Sequence, residues 1–118
     1  PATVRFVSYE PALGPVDWTK FPGIDWIIVG GESTQGAKAR PFDIGWAADT
    51  ITQCRKIGAA PFVKQLGSDP RFGGLDGNPG YLGLEPTDRA GADPAEWPED
   101  LRVQEFPSAH RASTRGAP

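Results

Sequence analysis

Apolar residues gather in three short runs of this chain, and the stretches between them are polar and rich in glycine and proline. The first run, Val4 to Tyr9, mixes β-branched and aromatic residues and stops at Glu10-Pro11, which predicts a strand followed by a loop. A short helical turn is expected in that loop near Trp18-Thr19-Lys20, ended by Phe21-Pro22-Gly23. The second run, Ile24 to Val29, is nearly continuous and closes on Gly30-Gly31, the pattern of a strand buried on both faces of a parallel sheet. Next, Ile44, Ala47, Ala48, Ile51 and Cys54 recur at helical spacing, with Asp43 placed as N-cap and Gly58 as the stop. The third run, Pro61 to Leu66, predicts a strand ended by Gly67. Strand, helix, strand in this order is a βαβ unit, whose crossover makes the two strands parallel.

From Ser68 the pattern weakens. Asp69 to Gly83 is dense in glycine and reads as a long irregular loop, and Asp93 to Asp100 as a tight turn or one turn of helix. Leu101 to Phe106 alternates as a short edge strand, and residues 108–118 have little to bury and are expected to be a disordered tail. The expectation is therefore one α/β domain over residues 1–107, with about three parallel strands, one clear helix and an irregular Gly/Pro-rich C-terminal region.

Composition narrows the function classes. The chain has 118 residues with a net charge of −3, from 12 basic and 15 acidic side chains, so no overall positive field favours nucleic acid. No apolar run approaches the ~20 residues of a membrane span, and no secretory leader is visible, which points to a cytoplasmic location. Gly 15 and Pro 13 are together about twice ordinary usage, so much of the chain is turns and the core is small. The single cysteine, Cys54, excludes a disulfide framework or a metal site built from this chain's own thiolates. With no methionine and a strand beginning three residues from Pro1, the chain reads as a fragment or a processed product.

In parallel α/β structures ligands bind at the carboxyl ends of strands, where side chains and loops converge. That rule selects Ser8, Tyr9 and Glu10, then Gly30, Gly31, Glu32 and Ser33, then Lys64, Gln65 and Gly67. Lys64 is the sharpest of these, because a charge inside an apolar run needs a partner or a solvated cavity, and Glu10 or Glu32 can supply one. Glu10, Glu32 and Lys64 are the candidate catalytic groups; Gly30, Gly31, Ser33, Arg40 and Gln65 are the candidate substrate-binding groups. Plainer readings stay open: a solvent-facing or structurally paired lysine, glycines that only make a tight strand exit, and a surface arginine at Arg40. Cys54, on the apolar side of the helix, is expected to pack in the core, and His110 in the tail has no catalytic setting. Trp26 is assigned to the core, Trp46 to the helix–sheet contact and Trp97 to pinning the late segment, while Trp18 is undecided.

Several of these segments occur together in one family. Arg5-Phe6-Val7-Ser8-Tyr9-Glu10-Pro11 with Leu13-Gly14-Pro15, Ile24 to Ser33, Arg40-Pro41, Trp46, Cys54, Pro61 to Gly67 and Asp100-Leu101-Arg102-Val103 with Phe106-Pro107 resemble the C-terminal half of the phage gene-product thirty-seven/sixty-eight family. The resemblance implies part of a radical-SAM-like (β/α) barrel of uncharacterised activity, with Glu10, Glu32, Ser33, Lys64 and Gln65 lining its mouth. It implies an iron–sulfur cluster and S-adenosylmethionine in the full-length protein, held by cysteines of an N-terminal half, and none in this chain. The missing half, or another copy of the chain, would then cover the sheet edges. Two functions follow as expectations: the substrate-side part of such an enzyme, inactive alone, or a free-standing α/β module binding a partner protein or an anionic ligand through residues 30–40.

Overall fold

The structure, a computed structural model, describes residues 3–33, 38–71 and 90–107. The first two apolar runs form β1 (Phe6–Tyr9) and β2 (Trp26–Gly30); after a two-residue strand β3 (Phe42–Asp43) come α1 (Ile44–Ile57), β4 (Ala60–Gln65) and a second two-residue strand, β5 (Pro70–Arg71). β1, β2 and β4 make one parallel sheet in the order β1-β2-β4, and β3 pairs with β5 in a separate two-stranded ribbon. The described residues form an open α/β sheet with one helix and no closed barrel. Asp43 caps α1 by accepting from the Gly45 N–H at 2.8 Å. At the other end Gly58 adopts φ 77°, the left-handed conformation that glycine takes without a Cβ penalty.

α1 covers one face of the sheet. Ile27, Val29 and Val63 are fully buried on that side against Ile44, Ala47 and Cys54 of the helix. Trp18, on a short 3-10 turn (Trp18–Lys20), belongs to this core: it is 5% exposed, and its indole N–H donates to Thr50 Oγ1 at 3.2 Å. Cys54 is buried there as expected.

The opposite face corrects the expectation that β2 is buried on both sides. Burial alternates along β2, and by register Phe6, Trp26 and Phe62 lie on the side away from α1. There Trp26 meets Phe62 edge-on, with ring centroids 6.0 Å apart, and Phe106 packs on both. Trp26 is therefore half-buried in an aromatic cluster outside the helix-side core, and Phe6 remains 60% exposed.

The expected strand over Leu101 to Phe106 is also corrected. Leu101 ends a 3-10 turn (Glu99–Leu101), and only Gln104 bridges to Phe62, antiparallel. Around that bridge the Val63 N–H donates to Val103 O at 2.8 Å and the Glu105 N–H to Pro61 O at 3.0 Å. Residues 103–105 thus strap the outer edge of β4 without extending into a strand. Asp93 to Asp100 holds two 3-10 turns, Pro94–Glu96 and the start of Glu99–Leu101. Pro70 and Arg71, expected in a loop, pair in β5; the rest of that loop from residue 72 lies outside the described residues, as do residues 34–37, His110 and the tail expected over 108–118. No helix among the described residues is long and apolar enough to cross a membrane.

Candidate functional site

The carboxyl ends of the three strands bring Glu10, Lys64 and Gln65 together. Ser8, Glu10 and Lys64 follow the alternation of β1 and β4 onto the face away from α1. Lys64 Nζ donates to Glu10 Oε1 at 3.2 Å, the Ser8 hydroxyl donates to the same oxygen at 3.1 Å, and Gln65 Nε2 donates to Oε2 at 3.3 Å. Of the two partners the sequence offered Lys64, the structure selects Glu10. The Lys64 side chain is 54% exposed, so the ion pair contributes only about 0–1 kcal/mol to stability, and the lysine keeps donor capacity toward solvent.

Neighbours on a strand point to opposite faces, yet Lys64 and Gln65 both reach Glu10. A register shift explains this. Val29 pairs with Val63 but Gly30 pairs with Gln65, leaving Lys64 as an extra residue in β4. The shift places Gln65 over Gly30, on the same face as Glu10. The vacancy at Gly30 receives the amide: a Cβ there would lie 3.1 Å from Gln65 Nε2. The same nitrogen donates to Gly31 O at 2.8 Å, so both amide protons of Gln65 are spent within the protein.

Glu32 and Arg40 form a second, separate unit. Arg40 Nε donates to both carboxylate oxygens, at 3.2 and 3.1 Å, and the Arg40 backbone N–H donates to Oε1 at 2.9 Å. These side-chain bonds, followed by the backbone bond, pull the Glu32 carboxyl down to about 2. Glu32 is thus apart from the Glu10–Lys64 pair, and the guanidinium fork of Arg40 is engaged by a carboxylate of its own loop. Ser33 is exposed beside it.

Gly31 is filled on both sides. A Cβ would lie 2.5 Å from Leu66 O and 2.9 Å from Phe42 Cβ, while the Gly31 N–H already donates to Gln65 O at 3.1 Å. Gly67 (φ 82°) and Gly91 (φ 64°) continue the same packing, since a Cβ on Gly67 would meet Glu32 O at 2.9 Å and one on Gly91 would meet Gly67 O at 2.6 Å. Three backbone segments are stacked here without side chains, and Trp97 locks the last by donating its indole N–H to Gly91 O at 2.8 Å. Sequence reading missed this platform; the signal was the recurrence of glycine just after each strand end, at Gly31 and Gly67. It selected Ser8 at the strand end but gave it no role; the two-residue spacing of Ser8 and Glu10 puts them on one strand face, where the hydroxyl holds the carboxylate.

Tyr9, also at a strand end, faces the helix side, with its ring edge-on to Trp18 at 5.2 Å. Its hydroxyl is buried without a hydrogen-bond partner among the described residues. Burial, and secondarily the charge of Asp49, pushes its ionisation up to about 12. No group of three or more His, Cys, Asp or Glu placed to hold a metal occurs among the described residues. Cys54, the chain's one thiol, is enclosed in the core, so this chain presents no thiolate set for an iron–sulfur cluster.

A family model, DUF5131, described as a protein of unknown function, matches residues 1–104. No curated protein and no solved structure matches the chain.

Proposed function

We propose a reading that starts from family membership: the chain belongs to DUF5131, and it supplies the C-terminal, substrate-side wall of a larger radical-SAM-like (β/α) barrel of the phage-related type, incomplete as a catalyst on its own. The observation that carries the reading is the two-sided character of the sheet. Among the described residues a helix packs on one face only, while the other is layered, aromatic at the amino end (Phe6, Trp26, Phe62) and polar at the carboxyl end (Ser8, Glu10, Lys64, Gln65). Parallel sheets are ordinarily covered on both faces, and a barrel lumen has this layered filling with chemistry at the carboxyl end. Glu10 and Lys64 are the acid–base and ligand-contacting candidates, while Glu32, held by Arg40, stands apart from them. Gly30 and Gln65 lie beside the Glu10–Lys64 pair, whereas Gly31 is closed off by backbone and Arg40, with Ser33 next to it, belongs to the separate Glu32 unit.

The iron–sulfur cluster and S-adenosylmethionine of such an enzyme would be held elsewhere in the longer protein. The alternative, an anion-binding module acting through residues 30–40, requires Arg40 to leave Glu32; the bidentate pairing weighs against it.

The test is made on the longer protein. Anaerobic reconstitution should give iron–sulfur absorbance and reductive cleavage of S-adenosylmethionine. Glu10→Gln and Lys64→Met should each abolish turnover of substrate while leaving the cluster intact. A reading frame that opens beside Pro1, with no clustered cysteines upstream, overturns the proposal.

A further inference from the structure

We infer that Gln65 is a positioning residue: seated in the space that Gly30 leaves, it orients the Glu10 carboxylate toward Lys64, and the Lys64 ammonium is the group that meets the ligand. The inference rests on the reading above that this strand end faces a substrate, and it reassigns Gln65 from binding substrate to holding the carboxylate. Its basis is an accounting of donors and acceptors. Gln65 Nε2 has two protons, and both go to protein oxygens, Glu10 Oε2 at 3.3 Å and Gly31 O at 2.8 Å. Glu10 Oε1 accepts from Ser8 and Lys64, so both oxygens of the carboxylate are held by donors from two strands. Lys64 has three donors and spends one of them on Glu10, and its side chain is 54% exposed. The remaining two N–H bonds suit a ligand oxygen acceptor, such as a carbonyl, carboxylate or phosphate oxygen. The register shift at Lys64 is what makes the arrangement feasible, because without it Gln65 would point to the helix side.

The experiment is site-resolved acylation of the folded chain with an acetyl N-hydroxysuccinimide ester at fixed pH, read by peptide mass spectrometry. An ion-paired ammonium that is held in place acylates more slowly than a released one. Gln65→Leu and Gly30→Ala should each raise the Lys64 labelling rate roughly threefold or more, the size expected when contacting side chains are coupled. Lys20 and Lys56, both exposed, normalise for reagent dose, and a cooperative thermal melt of each variant establishes that it is folded. In a Glu10→Ala background, where Lys64 is already released, Gln65→Leu should add nothing. A Lys64 rate unchanged by Gln65→Leu, or raised equally with and without Glu10, overturns the inference and leaves Gln65 as a tie to Gly31 alone. Because the measurement needs no substrate, it fails independently of the barrel reading, which is decided by turnover in the longer protein.

Discussion

Gly30 and Gly31 are adjacent, yet the structure separates them sharply as sites for alanine. At Gly31 the new Cβ would lie 2.5 Å from Leu66 O, 2.9 Å from Leu66 C and 2.9 Å from Phe42 Cβ, closer than real Cβ contacts come. The main chain at Leu66 would have to retreat, and it is tied: the Leu66 N–H donates to Gly91 O at 3.0 Å, and the Gly67 N–H to Ala90 O at 2.9 Å. Phe42 blocks the other direction and is itself 1% exposed. Overpacking against backbone falls at the upper end of the usual range, about 3 kcal/mol. For a domain of this size that lowers Tm by roughly 10 °C. At Gly30 the nearest obstacle, at 3.1 Å, is the end of the Gln65 side chain, which can swing away. Gly30→Ala should therefore cost under about 1 kcal/mol. Gly14 meets nothing within 4 Å, and Gly14→Ala should stabilise by roughly 0.4–1 kcal/mol through the unfolded chain. Thermal unfolding followed by tryptophan fluorescence ranks the three. A Gly31→Ala protein that melts together with Gly30→Ala would refute the claim that stacked backbones set this region's stability.

Three further outcomes are expected. Thr50→Val keeps the shape of a residue that is 1% exposed but removes the acceptor of the Trp18 indole N–H, which should cost about 1–3 kcal/mol in urea unfolding; Thr50→Ser should restore most of it, and equal stability of all three forms would contradict the bond's role. The Glu32–Arg40 pair lowers the Glu32 carboxyl from 4.5 to about 2, so its contribution is fully present above the ordinary value and is lost as pH falls through about 2. The Arg40 backbone amide shift in NMR should report that low midpoint, and a transition at ordinary carboxylate pH would count against the pairing. For Tyr9, raised from 10.0 to about 12, the contribution is complete below the ordinary value and disappears as pH rises between the two. Ultraviolet titration in a Tyr81→Phe background should show an elevated midpoint; an ordinary one would mean that the phenol is solvated.

Much of the fold was legible because its signals are local. The helix bounded by Asp43 and Gly58 follows from an N-cap carboxylate, an apolar stripe and a left-handed glycine, all within one segment. The three parallel strands likewise follow from compact apolar runs. What escaped depends on pairing across the chain. Nothing in Pro61 to Leu66 marks Lys64 as the extra residue, since a register shift exists only relative to β2. Leu101 to Phe106 has the alternation of a strand, but the turn ending at Leu101 leaves room for a single bridge. Trp26 was misplaced because an apolar run does not say how many of its faces are covered. In the site, the Glu10–Lys64 pairing was within reach of charge arithmetic, whereas the diversion of Glu32 to Arg40 is a contact between residues eight apart that no local pattern marks.

The strap over β4 also orders events in time. Its partners, Pro61 and Val63, are made about forty residues before Val103 and Glu105. During synthesis the β4 edge stays open while the intervening chain emerges, a delay of seconds at ordinary elongation rates. An open edge of apolar strand is a template for pairing with other chains. A chain cut just after Leu101 therefore keeps the Trp97 and Leu101 contacts of its helix-side core and exposes an adhesive margin, which makes aggregation, rather than loss of secondary structure, the expected signature of that shortening.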